Sequence, residues 1–194
     1  MNNLSEILKT SLIIAAGSVV VLPLIGLIVH AVSSFVLQNV FGLFSRSGAL
    51  YLFFANTLTF PGVVYHELSH ALFAFLTGAK INEIKLYQKK EGHLGYVNYS
   101  PRGAWGLQSL QLTLASCAPV VTGMIAEAVI YYVFTTFTLP IWGKVLLIYL
   151  GVSILVHMDM STADLKSYVR GVFFVMILVF IGSFFYLYFY GPAI

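Results

Sequence analysis

The sequence predicts an all-α membrane protein, a polytopic bundle of about five spanning helices with a short cytosolic β-hairpin. Composition indicates the class, because 59% of the 194 residues are hydrophobic and 9% are charged, whereas about a quarter of the residues of a soluble domain are charged. A chain with so few charges cannot cover its surface with polar groups, so it belongs in a lipid bilayer. Five apolar segments indicate the helices, and one polar segment with Val and Tyr indicates the hairpin.

The five apolar segments set the order of the predicted helices. The first is long enough to cross a bilayer with some tilt, with Pro23 and Gly26 as expected kink points, and the fourth is short. No linker between them is long enough to separate two domains, so residues 1–194 are predicted to form a single integral-membrane domain. The segments cover about residues 11–37, 48–77, 107–137, 141–157 and 171–190.

The Lys and Arg residues are distributed unevenly between the two sides of these segments. Only Arg46 and Lys144, of the 10 in the chain, fall on the side opposite the N-terminus. The positive-inside rule therefore places the N-terminus in the cytosol and the C-terminus outside, in the plasma membrane if the organism is a prokaryote. The net charge of +3 gives no reason to expect nucleic acid as a partner. The single cysteine, Cys117, excludes an intramolecular disulfide and a multi-cysteine zinc site.

The second apolar segment contains the pattern H-E-x-x-H at His66, Glu67 and His70. Residues four apart lie on one face of a helix, so the two imidazoles can bind one Zn²⁺ and the carboxylate beside the first can act as a general base. Ionisable side chains within a membrane span are energetically costly and indicate a functional site by default. The alternative interpretation is a buried hydrogen-bonding cluster that holds helices together.

A catalytic zinc site usually has three protein ligands, so a third must come from another part of the chain. The motif lies roughly 10 Å from the cytosolic end of its segment at 1.5 Å per residue. Asp159 and Asp164 lie on that side of the membrane. Glu127 is expected in the outer half of the third segment, as a packing contact, a hydration contact or a partner of Asn56. The candidates are His30, His93, Glu127, His157, Asp159 and Asp164.

Asp164 is favoured over Asp159 as the third ligand. Asp159 follows the end of a short segment, where a carboxylate is readily solvated, whereas Asp164 falls at the start of the fifth helix, where the backbone is rigid. Ser161 and Asp164 also form the Ser-x-x-Asp pattern of a capping box, in which the carboxylate would only cap the helix. The two roles are compatible, because a helix start that enters the membrane is a good position for a ligand.

The segment that follows the motif changes in character. Gly78 suits the left-handed residue that follows a helix C-terminus. Residues 79–87 and 93–99 lack helical periodicity, and residues 89–92 have the composition of a turn, so together they predict a short β-hairpin at the cytosolic surface. A solvated basic loop is the alternative. The edge of a hairpin could pair with an extended peptide and hold a substrate backbone.

These features resemble the site-2 protease family of intramembrane zinc metalloproteases, in its compact bacterial form. The resemblance covers about residues 51–175 and includes the motif, Gly78 with its β-rich segment, and the following span with Pro119 and Gly123. It implies a helical membrane bundle, zinc as cofactor, and hydrolysis of a peptide bond in or near a transmembrane segment of a protein or peptide substrate. By position, the resemblance implies that His66 and His70 are zinc ligands, that Glu67 is the catalytic acid and base, and that Asp164 completes the site.

The chain departs from the family pattern in two respects. Asp164 is followed by Leu165, where the family commonly has Gly, and no PDZ-like domain fits into 194 residues. Substrate recognition is therefore expected from the membrane core, the hairpin or a regulatory membrane partner. The alternative function is a non-catalytic membrane zinc-binding protein, either a transporter or an adaptor. A transporter would be expected to place polar groups through the whole bilayer depth, and an adaptor would have little need for Glu67.

Overall fold

The computed structural model describes residues 4–42, 53–86 and 95–191. Within these ranges the chain forms five α-helices and one two-stranded sheet, which agrees with the predicted number of helices and with the predicted hairpin. A π-helical turn, Phe54–Leu58, precedes the second helix. The elements are α1 (Leu4–Gly42), α2 (Phe60–Leu76), β1 (Lys80–Lys85), β2 (Tyr96–Ser100), α3 (Trp105–Thr136), α4 (Ile141–Val156) and α5 (Thr162–Tyr190).

Three of the described helices, α1, α3 and α5, are long and apolar enough to cross a membrane. The other two are shorter, with 17 residues in α2 and 16 in α4. Pro61 in the first turn of α2 cannot donate to a preceding turn, so α2 begins at Phe60 and does not fill the predicted second segment. The predicted number of helices therefore agrees with the structure. Among the described residues, however, only three of these helices are long enough to span a membrane. Residues 43–52, where that segment was expected to start, lie outside the described residues.

The C-terminus of α2 has the left-handed glycine that the sequence indicates. Gly78 has a φ of +81°. Its N–H donates to the Phe75 carbonyl over 3.0 Å, and the N–H of Ala79 donates to the Ala74 carbonyl over 2.9 Å. These two bonds form a Schellman motif, which ends the helix and turns the chain directly into β1.

The predicted hairpin is confirmed, because β1 and β2 pair antiparallel with Lys85 opposite Tyr96. The Tyr96 hydroxyl donates to the carboxylate of Glu83, which also forms an ion pair with Lys85 at 2.9 Å. These two partners hold the pKa of the exposed Glu83 carboxyl below its usual value. The predicted turn, residues 89–92, lies outside the described residues.

Two glycines allow the helices to cross in close contact. A Cβ atom on Gly62 of α2 would lie 1.9 Å from the Ser153 carbonyl oxygen of α4, and one on Gly171 of α5 would lie 2.2 Å from the Ser109 carbonyl oxygen of α3. Small residues of this kind let helix backbones approach where larger side chains would separate them. The two crossings bring the end of α4 against α2 and the beginning of α5 against α3.

Candidate metal centre

α2 carries His66 and His70 on one face, one turn apart, as the spacing of the motif predicts. Their Nε2 atoms lie 3.0 Å apart, and Asp164 in the first turn of α5 places Oδ1 3.4 Å from Nε2 of His70. One ligand atom from each of the three side chains lies within 4.8 Å of the others. All three are largely shielded, with 13%, 6% and 17% of their side-chain surfaces exposed. The structure thus brings the three predicted ligands together in a group that could hold a metal ion.

Hydrogen bonds to the backbone determine which ring nitrogens face this group. Nδ1 of His66 donates to the His157 carbonyl and Nδ1 of His70 to the Ala115 carbonyl, both over 2.7 Å. A carbonyl oxygen only accepts, so Nδ1 carries the hydrogen of each neutral ring and Nε2 keeps a lone pair. Two lone pairs that face each other over 3.0 Å repel unless a proton or a cation lies between them. The donor set fits zinc, because tetrahedral bonds of 2.0–2.1 Å hold two nitrogens about 3.3 Å apart.

The carboxylate of Asp164 serves a different partner with each oxygen. Oδ2 accepts from the backbone N–H of Ser161 over 3.0 Å and from its hydroxyl, while Ser161 Oγ accepts from the backbone N–H of Asp164 over 3.1 Å. This is the capping box that the sequence predicts. It leaves Oδ1 to face His70. Asp164 is therefore both a member of the capping box and a candidate ligand. Its bonds to Ser161 fix the orientation of the carboxylate.

Glu67 is buried on α2, and part of its surroundings come from β2. It is 9% exposed, and the backbone N–H of Val97 is close enough to act electrostatically on its carboxylate. A Cβ atom on Gly95 would lie 2.9 Å from Glu67 Cγ and 2.9 Å from the Lys85 carbonyl oxygen, so only glycine fits at the start of β2. Because the Val97 N–H points toward Glu67, the edge of β2 that does not pair with β1 faces the site.

The other predicted nitrogen and carboxylate candidates occupy different positions. Asp159 lies on the Nδ1 side of His66, with Oδ1 at 4.0 Å, and its Oδ2 lies 2.7 Å from Nδ1 of His30. His157 contributes its carbonyl to His66, while its ring is hydrogen-bonded to the backbone just before α2. His93 lies outside the described residues. Neither Asp159 nor the ring of His157 belongs to the group of three.

Glu127 lies away from the metal group, on the part of α3 that faces α4. A Cβ atom on Gly151 of α4 would lie 3.2 Å from Glu127 Oε2, so the carboxylate packs against this glycine, which is one of the three roles considered for it. Its Oε1 is buried and has no hydrogen-bond partner among the described residues. The side chain of Asn56, the other predicted partner of Glu127, is not among those that the structure describes, so this pairing stays a prediction.

Sequence reasoning missed the residues that shape the site through their backbone. Ala115 and His157 act through carbonyl groups, which no side-chain pattern marks. Gly95 acts by leaving space for Glu67. The available signals were indirect. An isolated glycine at a predicted strand indicates a close approach of another group to the backbone, and Pro119 indicates a carbonyl without a helical donor four residues earlier.

We compared the chain with models of known protein families, with curated proteins and with solved structures, and none of the three comparisons gave a match. What the site can do therefore follows from its chemistry. Two imidazoles and one carboxylate form a ligand set that leaves a fourth position on zinc open, as in catalytic zinc sites. Glu67, a second and buried carboxylate one residue from His66, is suited to act as a general base.

Proposed function

We propose that this protein is an intramembrane zinc metalloprotease, which hydrolyses a peptide bond in or near a transmembrane segment of a membrane-protein substrate. The observation that carries the proposal is the grouping of His66, His70 and Asp164 with their ligand atoms turned toward one another, next to the buried carboxylate of Glu67. The resemblance of this motif and its surroundings to the compact bacterial site-2 proteases supports the same activity.

Each residue of the site has a defined task under this proposal. His66, His70 and Asp164 would hold the zinc ion. When bound, zinc polarises the scissile carbonyl and lowers the pKa of water. Glu67 accepts a proton from the attacking water and delivers it to the nitrogen of the leaving amine. The N–H of Val97 orients the Glu67 carboxylate for both transfers.

The hairpin supplies a place for the substrate backbone. A transmembrane helix hides its carbonyl groups in internal hydrogen bonds, so a substrate must unwind locally before it can be cleaved. The edge of β2 away from β1 lies toward Glu67, and an extended segment that pairs with this edge would bring its backbone next to the catalytic carboxylate. Pairing through backbone groups tolerates many side chains, so this edge could hold substrates of different sequence.

The site also lies at the N-terminal end of α5, one of the helices that could span a membrane. Lys80 and Lys85 of β1 and Lys166 and Arg170 of α5 are close in sequence to the site residues of α2 and α5. Under the positive-inside rule this end of α5 faces the cytosol, so we infer a multi-pass membrane protein with a site that water reaches from the cytosolic side. The three long apolar helices support a location in a membrane.

The decisive experiment replaces Glu67 with Gln, which keeps the shape of the side chain and removes its basicity. Wild-type and variant proteins are purified, reconstituted with a panel of transmembrane peptides, and assayed for cleavage by mass spectrometry and for zinc content. We expect Glu67→Gln to retain about one zinc per chain and to lose roughly 10²- to 10⁴-fold in rate. Glu6→Gln, at an exposed position of α1, is the matched control and should cleave normally.

Two results would contradict the proposal in different ways. Normal cleavage by Glu67→Gln would show that this carboxylate is not the base and that the assignment is wrong. A wild-type protein that binds zinc but cleaves no peptide of the panel would instead favour the alternative, a non-catalytic membrane zinc-binding protein such as a transporter or an adaptor.

A further inference from the structure

The carbonyl that holds His70 has lost its usual partner within α3. In an α-helix each carbonyl accepts from the N–H four residues later. Four residues after Ala115 comes Pro119, which lies inside α3 and has no N–H. The Ala115 carbonyl accepts instead from Nδ1 of His70, over 2.7 Å. Ala115 is 0% exposed and Pro119 less than 2% exposed, so solvent does not reach this carbonyl in place of the histidine.

The second histidine of the group is held in a comparable way. Nδ1 of His66 donates to the carbonyl of His157, which follows the last residue of α4, Val156. The last carbonyls of a helix have no donor within the helix. Each ring is therefore held by a carbonyl that lies outside the regular helical hydrogen-bond pattern, one released by a helix end and the other by a proline.

We propose that Pro119 is a positioning residue of the metal centre. By removing one helical hydrogen bond from α3, it reserves the Ala115 carbonyl for Nδ1 of His70. This bond fixes the tautomer of His70 in which Nε2 carries a lone pair and faces His66 and Asp164. Groups that hold the far nitrogen of a histidine ligand orient the ring and raise metal affinity. The inference rests on the metal-binding part of the proposed function and not on proteolysis.

A packing role for Pro119 makes a different prediction. Prolines are tolerated in membrane helices when neighbouring groups satisfy the freed carbonyl, and here that group is a candidate ligand. If Pro119 only fills space, a residue of similar volume should replace it without effect on His70. If Pro119 reserves the carbonyl, any residue that restores the N–H at this position should loosen His70, whatever its volume.

The experiment therefore uses Pro119→Ala and Pro119→Val, which both restore the N–H but differ in volume. In the purified full-length protein, zinc affinity is measured by competition with a chelator, and we expect both variants to bind roughly 10- to 100-fold more weakly. Nitrogen-15 NMR of the metal-free protein should show His70 with its hydrogen on Nδ1 in the wild type and a larger share on Nε2 in both variants. Pro140→Ala, at an exposed proline that precedes α4 and frees no carbonyl inside a helix, is the control and should change neither measurement.

Three results would overturn the inference. Wild-type zinc affinity and tautomer in both variants would show that the carbonyl is not reserved by proline. An effect of Pro119→Ala without an effect of Pro119→Val would indicate a cavity. A wild-type protein that binds no zinc would remove the site itself. By contrast, weakened zinc binding in both variants of a protein that cleaves no peptide would refute the protease proposal and leave the positioning role of Pro119 intact.

Discussion

Each histidine of the candidate metal centre uses its two ring nitrogens for different purposes. Nδ1 is bound to a backbone carbonyl over 2.7 Å in both rings, and Nε2 is turned toward the other ring. Asp164 divides its two oxygens in the same manner, between the cap of α5 and His70. Ligands held on their far side lose little freedom when a metal binds, which is the physical basis for high affinity at a small site.

The third ligand can be tested by two substitutions that remove the same charge. Asp164→Asn should lose zinc and activity, because the amide is a poor zinc ligand and its Oδ1 position faces His70. Asp159→Asn should retain zinc, because Asp159 lies on the Nδ1 side of His66 and an amide oxygen can still accept from His30. Metal analysis of the two purified variants decides the assignment. Loss of zinc from Asp159→Asn alone would make Asp164 only a helix cap.

The side chains of the site could be predicted from sequence, and its backbone partners could not. His66, Glu67 and His70 share a local pattern whose geometry follows from the helix repeat. Asp164 needed an argument about rigidity, and the structure places it within the group. Pro119 indicates a freed carbonyl at Ala115, but the binding of His70 to it is visible only when α2 and α3 are packed together.

At the scale of elements, the two ends of α2 can be predicted from the sequence, because the residues at both ends have distinctive backbone properties. Pro61 marks its beginning and Gly78 its end, and both are local effects that sequence reasoning handles well. The hairpin was predictable from composition and turn residues. Its contact with Glu67 was not, because that contact depends on how the chain turns after Gly78 and on the space left at Gly95.

The role of the hairpin edge can be tested at Val97. Val97→Pro removes the backbone N–H that lies toward Glu67, on the edge with which a substrate strand would pair. We expect zinc to remain bound, since no ligand is changed, and cleavage to fall on the order of 10²-fold as the base loses its orientation. Val97→Ala keeps the N–H and is the matched control. Equal cleavage rates for the two variants would show that this segment acts only as a loop.

At the scale of the whole molecule, α1 is joined to the core near the candidate metal centre. The Tyr168 hydroxyl of α5 donates to the Val19 carbonyl over 2.7 Å. A Cβ atom on Gly26 would lie 3.6 Å from Met160, in the connection between α4 and α5. One turn further along α1, His30 reaches Asp159 in the same connection. The resemblance to known proteases starts only at about residue 51, so nothing in the motif predicts this contact.

This contact leads to the last prediction, which concerns His30. Nδ1 of His30 lies 2.7 Å from Asp159, and the connection that carries Asp159 begins with His157, whose carbonyl holds His66. His30→Ala should therefore weaken zinc binding about tenfold, because the connection loses its attachment to α1. His30→Asn keeps an N–H near the position of Nδ1 and should restore most of the affinity. Chelator competition measures both, with Val32→Ala at an exposed position of α1 as the control.

A double-mutant cycle separates this attachment from a general loss of stability. If His30 acts through Asp159, the two effects should not add. The variant that carries both His30→Ala and Asp159→Ala should then have the same zinc affinity as the single variant with the lower affinity. Effects that add would mean that the two residues influence the site independently. Because His30 is 56% exposed, its removal should leave the packing of α1 on the core unchanged, so a change in zinc affinity reports on the connection and on the histidine that it holds.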